Sequence, residues 1–336
     1  DHTVVCRLKN PTLVFLNNIS QTEWSYASIP HAKHVAQYGQ DYGVVPASIC
    51  GTGPYKLKEW AKDDRMELIR HEGYSWGSPA YDNTGAPWVD RIVFRTLPED
   101  AARAAELETG GIDLDVDVSP THIGRLEGKG VKVTSIPRLS SNHIGFNMEK
   151  DVFKDVRVRK AVAHAVNRQE IVQFVMKGQA DVSYGFLHPL VPGASSKEQM
   201  RPFMADFSLD KSKKLLGEAG WVQGADGMRQ KDGKPLQASL YVFTELHERI
   251  VTPVQAQLRQ VGFDLQIKRL ESAAFNAATR AGEHDARFLP MIYSSGDFLY
   301  FFVSSAIPSP NTVRWRDDRT DTLFQQAQTT LKEPER

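Results

Sequence analysis

Two histidines spaced for a shared helix face are the first residues whose types suggest chemistry. His31 and His34 lie three positions apart, which places two side chains on the same side of a helix. Imidazole is a common zinc ligand, but a protein zinc site needs three or four protein ligands. The sequence therefore predicts an exposed pair of histidines here and not a metal site.

Three aspartates form a second candidate cluster. Asp113, Asp115 and Asp117 alternate with apolar residues between Ile112 and Val118. Strict alternation is typical of a half-buried strand, in which successive side chains point to opposite faces. We therefore expect a strand over 112–118 whose aspartates line a solvated outer face, in preference to an acidic metal cluster.

The sequence carries few of the motifs of the common enzyme classes. His247-Glu248 has no second histidine four residues after the first, as a zinc protease helix requires. A Gly-x-Ser-x-Gly string, the pattern of a nucleophile elbow, occurs from Gly73 to Gly77, whereas no phosphate-binding Gly-x-x-x-x-Gly-Lys loop occurs. Catalytic groups usually meet in space and not in sequence, so a hydrolase that uses His and Asp groups stays open as an alternative.

Composition restricts the partners. Lys plus Arg and Asp plus Glu both number 41 in 336 residues, so the balanced charge gives no general attraction for nucleic acid. No apolar run reaches the roughly 18 to 20 residues of a membrane helix.

Cys6 and Cys50 are too few for a disulfide framework. We expect both to be small buried side chains, with a single disulfide as the alternative.

Local patterns divide the chain into a strand-rich first part and a second part in which strands alternate with helices. Two α/β domains that meet near residues 140–150 are therefore expected. In the first part the patterns predict a helix over 100–110 and strands over 3–8, 55–60, 66–70, 89–95, 112–118 and 131–136.

In the second part the patterns predict three strands, over 238–243, 263–268 and 288–293, and helices over 155–166, 167–178, 208–219 and 320–331. Asp155 is expected to cap the first of these helices, and Asn167 with Glu170 to form a capping box. A further helix places Ile250, Val254, Leu258 and Val261 on one face. Pro253 is expected in its first turn, because an interior proline is costly.

Five strings of residues, in order along the chain, resemble the family 5 solute-binding proteins of ABC importers, which include dipeptide-, oligopeptide- and nickel-binding receptors. The strings are Gly51 to Trp60, Glu106 to Leu114, Gly145 to Asn147 with Val152 to Ala161 and Ala165 to Arg168, Ala219 to Trp221, and Gln257 to Phe263. Their residues are interpreted as structural, including Arg157 and Arg159, for which ion pairs or solvated positions are expected.

The resemblance implies an α/β fold of the type II periplasmic binding proteins, with two lobes of mixed sheets joined by hinge strands. Residues 1–143 would form a strand-rich lobe and residues 144–336 a second lobe. Members of the family carry a signal peptide, further N-terminal residues and a small extra domain before the position of Asp1. They also carry a C-terminal return after the position of Arg336. This chain is accordingly expected to be a fragment of a periplasmic or otherwise extracytoplasmic protein.

The resemblance also implies a function. The protein would be a monomer that captures a peptide-like solute in an interdomain cleft and delivers it to a membrane permease, without a cofactor, bound metal, nucleic acid or catalysis. Asp297 would pair an ammonium group of the solute. The candidate ligand-binding residues are Asp297, Tyr293, Phe298, Tyr300, Asn142, Asn147, Tyr184, Phe186 and Trp315.

Several alternatives stay open from the sequence. A two-lobed hydrolase would place a nucleophile within hydrogen-bond reach of a base. A solute-sensing regulatory protein could use the same fold. Within the receptor interpretation the ligand could be a dipeptide, an oligopeptide, a glutathione-like peptide, an opine, a sugar oligomer or a metal chelate.

Overall fold

The computed structural model describes residues 3–9, 15, 29–136, 138–191, 194–292 and 300–330. The chain forms two compact units. We call residues 15–118 and 125–131 the hairpin unit, and residues 1–14, 119–124 and 132–336 the sheet unit. The lobe boundary predicted at residue 143 falls inside the sheet unit, because the strand Ser140–Phe146 crosses it. That boundary stays a prediction for the complete protein.

The hairpin unit is built on a three-stranded antiparallel sheet. Its elements are α1 (Ala32–Tyr38), β1 (Tyr55–Ala61), β2 (Arg65–Arg70), β3 (Arg91–Arg95) and α2 (Asp100–Thr109), followed by α3 (Ile123–Gly128), which contains residues of both units. The predicted hairpin is confirmed, since β1 pairs with β2 from Tyr55 opposite Arg70 to Ala61 opposite Arg65. The predicted third strand is confirmed as β3, and α2 ends as expected at Gly110, whose φ is 74°.

Three strands predicted for the first part are wrong, because residues 3–8, 112–118 and 131–136 adopt no regular strand. In the 112–118 segment, Asp115 accepts a hydrogen bond from the backbone N–H of Asp117 at 3.0 Å, which makes a local turn. The Asp115 carboxylate is 3.3 Å from the guanidinium of Arg103, and its side chain is only 6% exposed. Asp115 therefore holds the segment to α2 and does not line a solvated strand face.

The cysteine prediction is also wrong. Cys6 is exposed, Cys50 is half-buried, and both thiols are free. The two cysteine side chains are therefore not buried, and they are not joined by a disulfide.

The sheet unit contains the larger part of the regular structure. Its strands are β4 (Ser140–Phe146), β5 (Val222–Gln223), β6 (Arg229–Lys231), β7 (Lys234–Pro235), β8 (Gln237–Val242), β9 (Asp264–Arg269) and β10 (Ala286–Ile292). Its helices are α4 (Asp151–Lys154), α5 (Val156–Ala165), α6 (Arg168–Glu170, continued by a π-helical turn, Ile171–Val175), α7 (Lys197–Met200), α8 (Leu209–Glu218), α9 (Glu245–Arg259), α10 (Ser272–Ala281) and α11 (Asp318–Thr329). Among the described residues, no helix combines the length and apolar character that crossing a membrane requires.

The central sheet has the strand order β4-β10-β8-β9. β8 runs parallel to both β9 and β10, whereas β4 is antiparallel to β10. β8 buries five of its six residues, as expected for a parallel strand covered on both faces. The strands predicted over 238–243 and 263–268 are confirmed, and the predicted strand over 288–293 is confirmed up to Ile292. The carboxyl ends of β8, β9 and β10 therefore lie at one edge of the sheet.

One face of this sheet carries the main hydrophobic core. Phe153, Val158 and Leu258 are nearly inaccessible and pack with Leu240 and Phe288 of the sheet in one cluster. Full burial of each such side chain stabilises the fold by about 1.5–3 kcal/mol. The core exists because α5, α8 and α9 each present an apolar stripe at helical spacing.

The predicted helices of the core are confirmed, with two corrections. Asp155 caps α5 and pairs with Arg157 at 2.6 Å, so that arginine is structural as predicted. The proline prediction is wrong, because Pro253 lies inside α9. The capping box at Asn167 forms in part, because the Asn167 side chain accepts from the Glu170 N–H at 3.1 Å. Its second half is replaced by Gln257, which accepts from the Asn167 N–H at 3.0 Å and donates to the Glu170 carboxylate at 2.9 Å.

The other face of the central sheet is covered by irregular segments. Gly145 of β4 is buried, and a Cβ at this position would lie 2.7 Å from the Val313 side chain. The segment around Val313 also bonds to the end of β4, since the Met148 N–H donates to the Val313 carbonyl at 2.9 Å. Glycine is favoured here because a side chain at this position would collide with the buried Val313 side chain.

Candidate functional site

The carboxyl edge of the central sheet is the natural place for a ligand. In open sheets with parallel strands, ligands bind outside the carboxyl ends of the strands. β4 is antiparallel, so it begins at this edge, where Ser140 pairs with Ile292 and Asn142 pairs with Pro290. Asn142 is exposed, so its amide can donate to and accept from a solute.

A loop that follows α6 reaches this edge. The buried Ser141 hydroxyl donates a hydrogen bond of 2.6 Å to the backbone carbonyl of Phe186. Ser141 and His143 are alternate residues of one strand, so both side chains point to the same sheet face. The hydrogen bond holds Phe186 against that face.

Three rings meet above β4. The Phe186 ring centroid lies 5.7 Å from that of His143 in a perpendicular arrangement and 5.2 Å from that of Phe302. These separations and angles are favourable for aromatic pairs. The Phe186 side chain nevertheless keeps 47% exposure. The site therefore presents an aromatic surface that is partly exposed to solvent.

The His143 imidazole contributes shape and not charge. Burial of the ring, with a smaller effect of the Arg287 charge, lowers the pKa of His143 to about 4. The ring is neutral at pH 7, since protonation would place a charge in a poorly solvated position. Such a group is unsuited to proton transfer near neutral pH, and it suits an apolar wall.

Tyr184 and Tyr300 are two further aromatic candidates among the described residues. Tyr184 is half-buried, and the ammonium group of Lys197 lies 4.7 Å from its ring centroid. Tyr300 is 46% exposed, with its ring centroid 6.3 Å from that of Phe324. Three further candidates, Tyr293, Asp297 and Phe298, lie outside the described residues.

Asn147 is placed at the opposite end of β4. Five residues of extended chain separate it from Asn142, which corresponds to roughly 16 Å. Its side chain is 1% exposed and donates to the backbone carbonyls of His284 at 3.1 Å and Gly282 at 3.4 Å. Its carbonyl oxygen accepts from the Glu149 N–H at 3.1 Å. Asn147 therefore joins the end of β4 to the segment that precedes β10.

Trp315 lies near this second end, in a basic pocket of about 280 Å³. The pocket is lined by Met148, Glu149, Lys154, Arg159, Arg314, Trp315 and Arg316. Glu149 pairs with Arg314 at 3.4 Å and with Arg316 at 3.2 Å. The structure thus brings Phe186 to the edge where Asn142 lies, and it separates this edge from Asn147 and Trp315.

The sequence missed three residues of the aromatic site. Ser141, His143 and Phe302 lie far from Phe186 along the chain, and only the paired strand and the returning loop bring them together. Ser141 and His143 are alternate residues just before the sequence changes from its strand-rich part to the part in which strands alternate with helices. This position is the one local signal that marks them.

Comparison with known proteins gives consistent results. The model of the bacterial extracellular solute-binding proteins, family 5 (middle), matches residues 1–312. The oligopeptide-binding protein AppA of Bacillus subtilis (strain 168) is 28% identical over 285 residues, which cover 82% of this chain and 50% of that protein. The dipeptide-binding protein of Escherichia coli (strain K12) is 26% identical over 309 residues, which cover 90% of this chain and 54% of that protein. The chain spans about half the length of these relatives.

Solved structures agree on the fold. The structure of Bacillus subtilis AppA in complex with a nonapeptide superimposes with a TM-score of 0.83 at 25% identity, covering 98% of this chain and 65% of that one. The peptide complex of DppA from Helicobacter pylori has a TM-score of 0.79 at 24% identity, and the match covers 97% of this chain and 61% of that one. At this identity the match shows the fold alone. The predicted fold class, the α/β fold of type II periplasmic binding proteins, is confirmed.

Proposed function

Because this chain belongs to the family 5 bacterial extracellular solute-binding proteins, we propose that the whole protein is the substrate-binding component of an ABC importer. It captures a peptide-like solute outside the cytoplasm and delivers it to a membrane permease. The family match over residues 1–312 is the observation that carries this proposal. The names of the relatives, which are oligopeptide-, dipeptide- and glutathione-binding proteins, support a peptide-like solute.

The family is one of solute-binding proteins, and we propose that this protein likewise catalyses nothing. Binding alone accounts for the properties of the site. A wall of neutral rings on one face of β4, with the exposed Asn142 amide on the other face at the same strand end, can hold side chains and backbone groups of a peptide. Burial lowers the pKa of His143 to about 4, so its imidazole is a weak base and poorly matched to general base catalysis at pH 7.

We place the solute at the carboxyl edge of the central sheet. Phe186 would contact an apolar part of the solute, because the Ser141 hydroxyl holds its backbone carbonyl and its side chain stays 47% exposed. Asn142 would bond a peptide group of the solute. The earlier candidates Tyr293, Asp297, Phe298 and Tyr300 follow β10 and remain part of this proposal, with Asp297 pairing an ammonium group. Tyr184 remains a proposed contact through the loop that carries Phe186.

Native mass spectrometry of the protein expressed from its complete gene tests the proposal. We expect a bound solute of peptide mass that leaves on denaturation and that fragmentation identifies as peptide-like. A matched thermal-shift titration would use a tryptic digest of bulk protein as the probe. Absence of both a co-purified solute and a stabilising peptide fraction would overturn the proposal, as would turnover of the peptides into smaller products.

A further inference from the structure

The hairpin unit brings together three side chains that ligate transition metals. The ligand atoms of His31, His34 and Cys50 all lie within 4.8 Å of one another. The sequence indicates only the histidine pair, because Cys50 follows it after a helix and a turn. The structure therefore supplies a third ligand that spacing along the chain does not show.

Local structure explains the convergence. α1 begins directly after His31, and the three-residue spacing places His34 beside it, with ring centroids 4.7 Å apart. The chain then returns through a 3₁₀ turn, Pro46–Ser48, before it enters β1. Cys50 lies on this return, half-buried and with a free thiol.

A hydrogen bond orients His34 for coordination. Its Nδ1 lies 3.0 Å from the backbone carbonyl oxygen of Ser48. A carbonyl oxygen only accepts, so Nδ1 carries the proton and Nε2 keeps its lone pair for a metal ion. Metal-bound histidines in proteins commonly donate their second N–H in this way.

The carbonyl that orients His34 is itself fixed. Ser48 is completely buried, and its hydroxyl donates to the Val45 carbonyl at 2.7 Å and accepts from the Gly43 N–H at 2.8 Å. These bonds hold the return loop, and Cys50 follows two residues later. The position of the thiol relative to His34 is therefore determined by the fold of the loop.

His31 is the adjustable member of the group. Its ring is exposed, and its Nδ1 accepts a long bond of 3.3 Å from the His34 N–H at the start of α1. Coordination through either ring nitrogen of His31 replaces or rearranges this weak cap. An exposed ring with one long hydrogen bond can turn toward an ion at little cost.

We propose that His31, His34 and Cys50 bind one Zn²⁺ ion, with a fourth position open to water. Two imidazoles and a thiolate suit Zn²⁺ and not Mg²⁺ or Ca²⁺, which prefer oxygen ligands. Bond lengths of about 2.0–2.3 Å place neighbouring ligand atoms of a tetrahedral zinc site roughly 3.5 Å apart, so the three side chains close by about 1 Å on binding. The thiol releases its proton to solvent as the Zn–S bond forms.

The zinc site is independent of solute capture. The ion would join the start of α1 to the loop that enters β1, within the hairpin unit. It uses none of the residues proposed to contact the solute. A variant that loses zinc binding can still be tested for solute binding, and a variant that loses solute binding can still be tested for zinc binding.

Metal titration of the full 336-residue chain tests the site. We expect one Zn²⁺ per chain by calorimetry, and Co²⁺ should give the near-ultraviolet absorption band of a thiolate ligand. Cys50→Ser should abolish that band and weaken zinc binding at least about tenfold, and His34→Gln should weaken it similarly. Cys6→Ser and His71→Gln are the matched controls, and both should bind as the parent chain does.

Thiol alkylation provides a second measurement that does not depend on a folded variant. Saturating Zn²⁺ should protect Cys50 from iodoacetamide and leave Cys6 reactive, as read by peptide mass spectrometry. Equal alkylation of Cys50 with and without zinc would overturn the proposal. So would unchanged affinity in Cys50→Ser or His34→Gln, or an equal loss in the two control variants.

Discussion

Lowering the pH from 7 to 4.5 should destabilise the sheet unit through His284. This side chain is completely buried, and neither ring nitrogen has a hydrogen-bond partner among the described residues. Burial first, and then the positive charges of Arg287, Arg314 and Lys150, lower the pKa of His284 from 6.5 to about 4. The folded protein therefore keeps this imidazole neutral at a pH where the unfolded chain protonates it.

The sign follows from the two pKa values. Between pH 6.5 and about 4 the unfolded chain binds a proton at His284 that the folded chain does not. Stability rises with pH in this window, so the contribution is complete above pH 6.5 and is lost as the pH falls toward 4. At about 1.4 kcal/mol per pKa unit the full effect is about 3 kcal/mol. Roughly 2 kcal/mol of it is lost between pH 7 and 4.5.

Urea unfolding at pH 7 and 4.5, followed by circular dichroism, measures this effect. His284→Leu should lose roughly 2 kcal/mol less on acidification than the parent chain. At pH 7 it should be at least as stable, because leucine removes two buried polar atoms that lack partners. His71→Leu, at a partly exposed site, should leave the pH dependence unchanged. An identical acid-induced loss in His284→Leu and the parent chain would refute the reasoning.

Two further substitutions test the structural role of the family strings. Phe153→Ala should cost about 3–5 kcal/mol in urea unfolding, because the ring is 1% exposed in the main core. Phe203→Ala, at an 81% exposed ring, should cost less than about 0.5 kcal/mol, and equal costs would contradict the core assignment. Gln257→Leu should cost about 2 kcal/mol and speed amide exchange at Asn167, since that N–H loses its acceptor. Unchanged exchange would show that the Gln257 bond is not formed.

Local sequence signals predicted the elements that local interactions determine. The β1–β2 hairpin follows from alternation on both sides of a polar turn, and the start of α5 follows from Asp155, whose carboxylate accepts from the N–H of Arg157. Gly110 ends α2 because glycine adopts a positive φ without strain. These features are decided within a few residues of the chain.

Predictions failed where a distant residue decides the outcome. The 112–118 segment alternates as a strand does, but Asp115 is held by Arg103, and no strand among the described residues pairs with the segment. Pro253 lies inside α9 because tertiary packing of that helix outweighs the lost hydrogen bond. The hydrogen bonds of Gln257 to Asn167 and to Glu170 likewise connect one helix to another.

The candidate site was predictable only in part for the same reason. Phe186 was selected for its residue type, yet its ring partners His143 and Phe302 come from two other segments. Asn142 and Asn147 are close in sequence, and the extended conformation of β4 places them at opposite ends of the strand. Residue type suggests which side chains can bind a solute, and the sheet decides which of them can do so together.

Calorimetric titration of the complete protein with its peptide-like solute tests solute capture most directly. Solute capture at the carboxyl edge predicts saturable binding of one solute per protein. Phe186→Ala should weaken this binding at least about fivefold, as expected for an exposed aromatic anchor, and Phe203→Ala should bind as the parent does. Absence of saturable binding, or full affinity in Phe186→Ala, would contradict it.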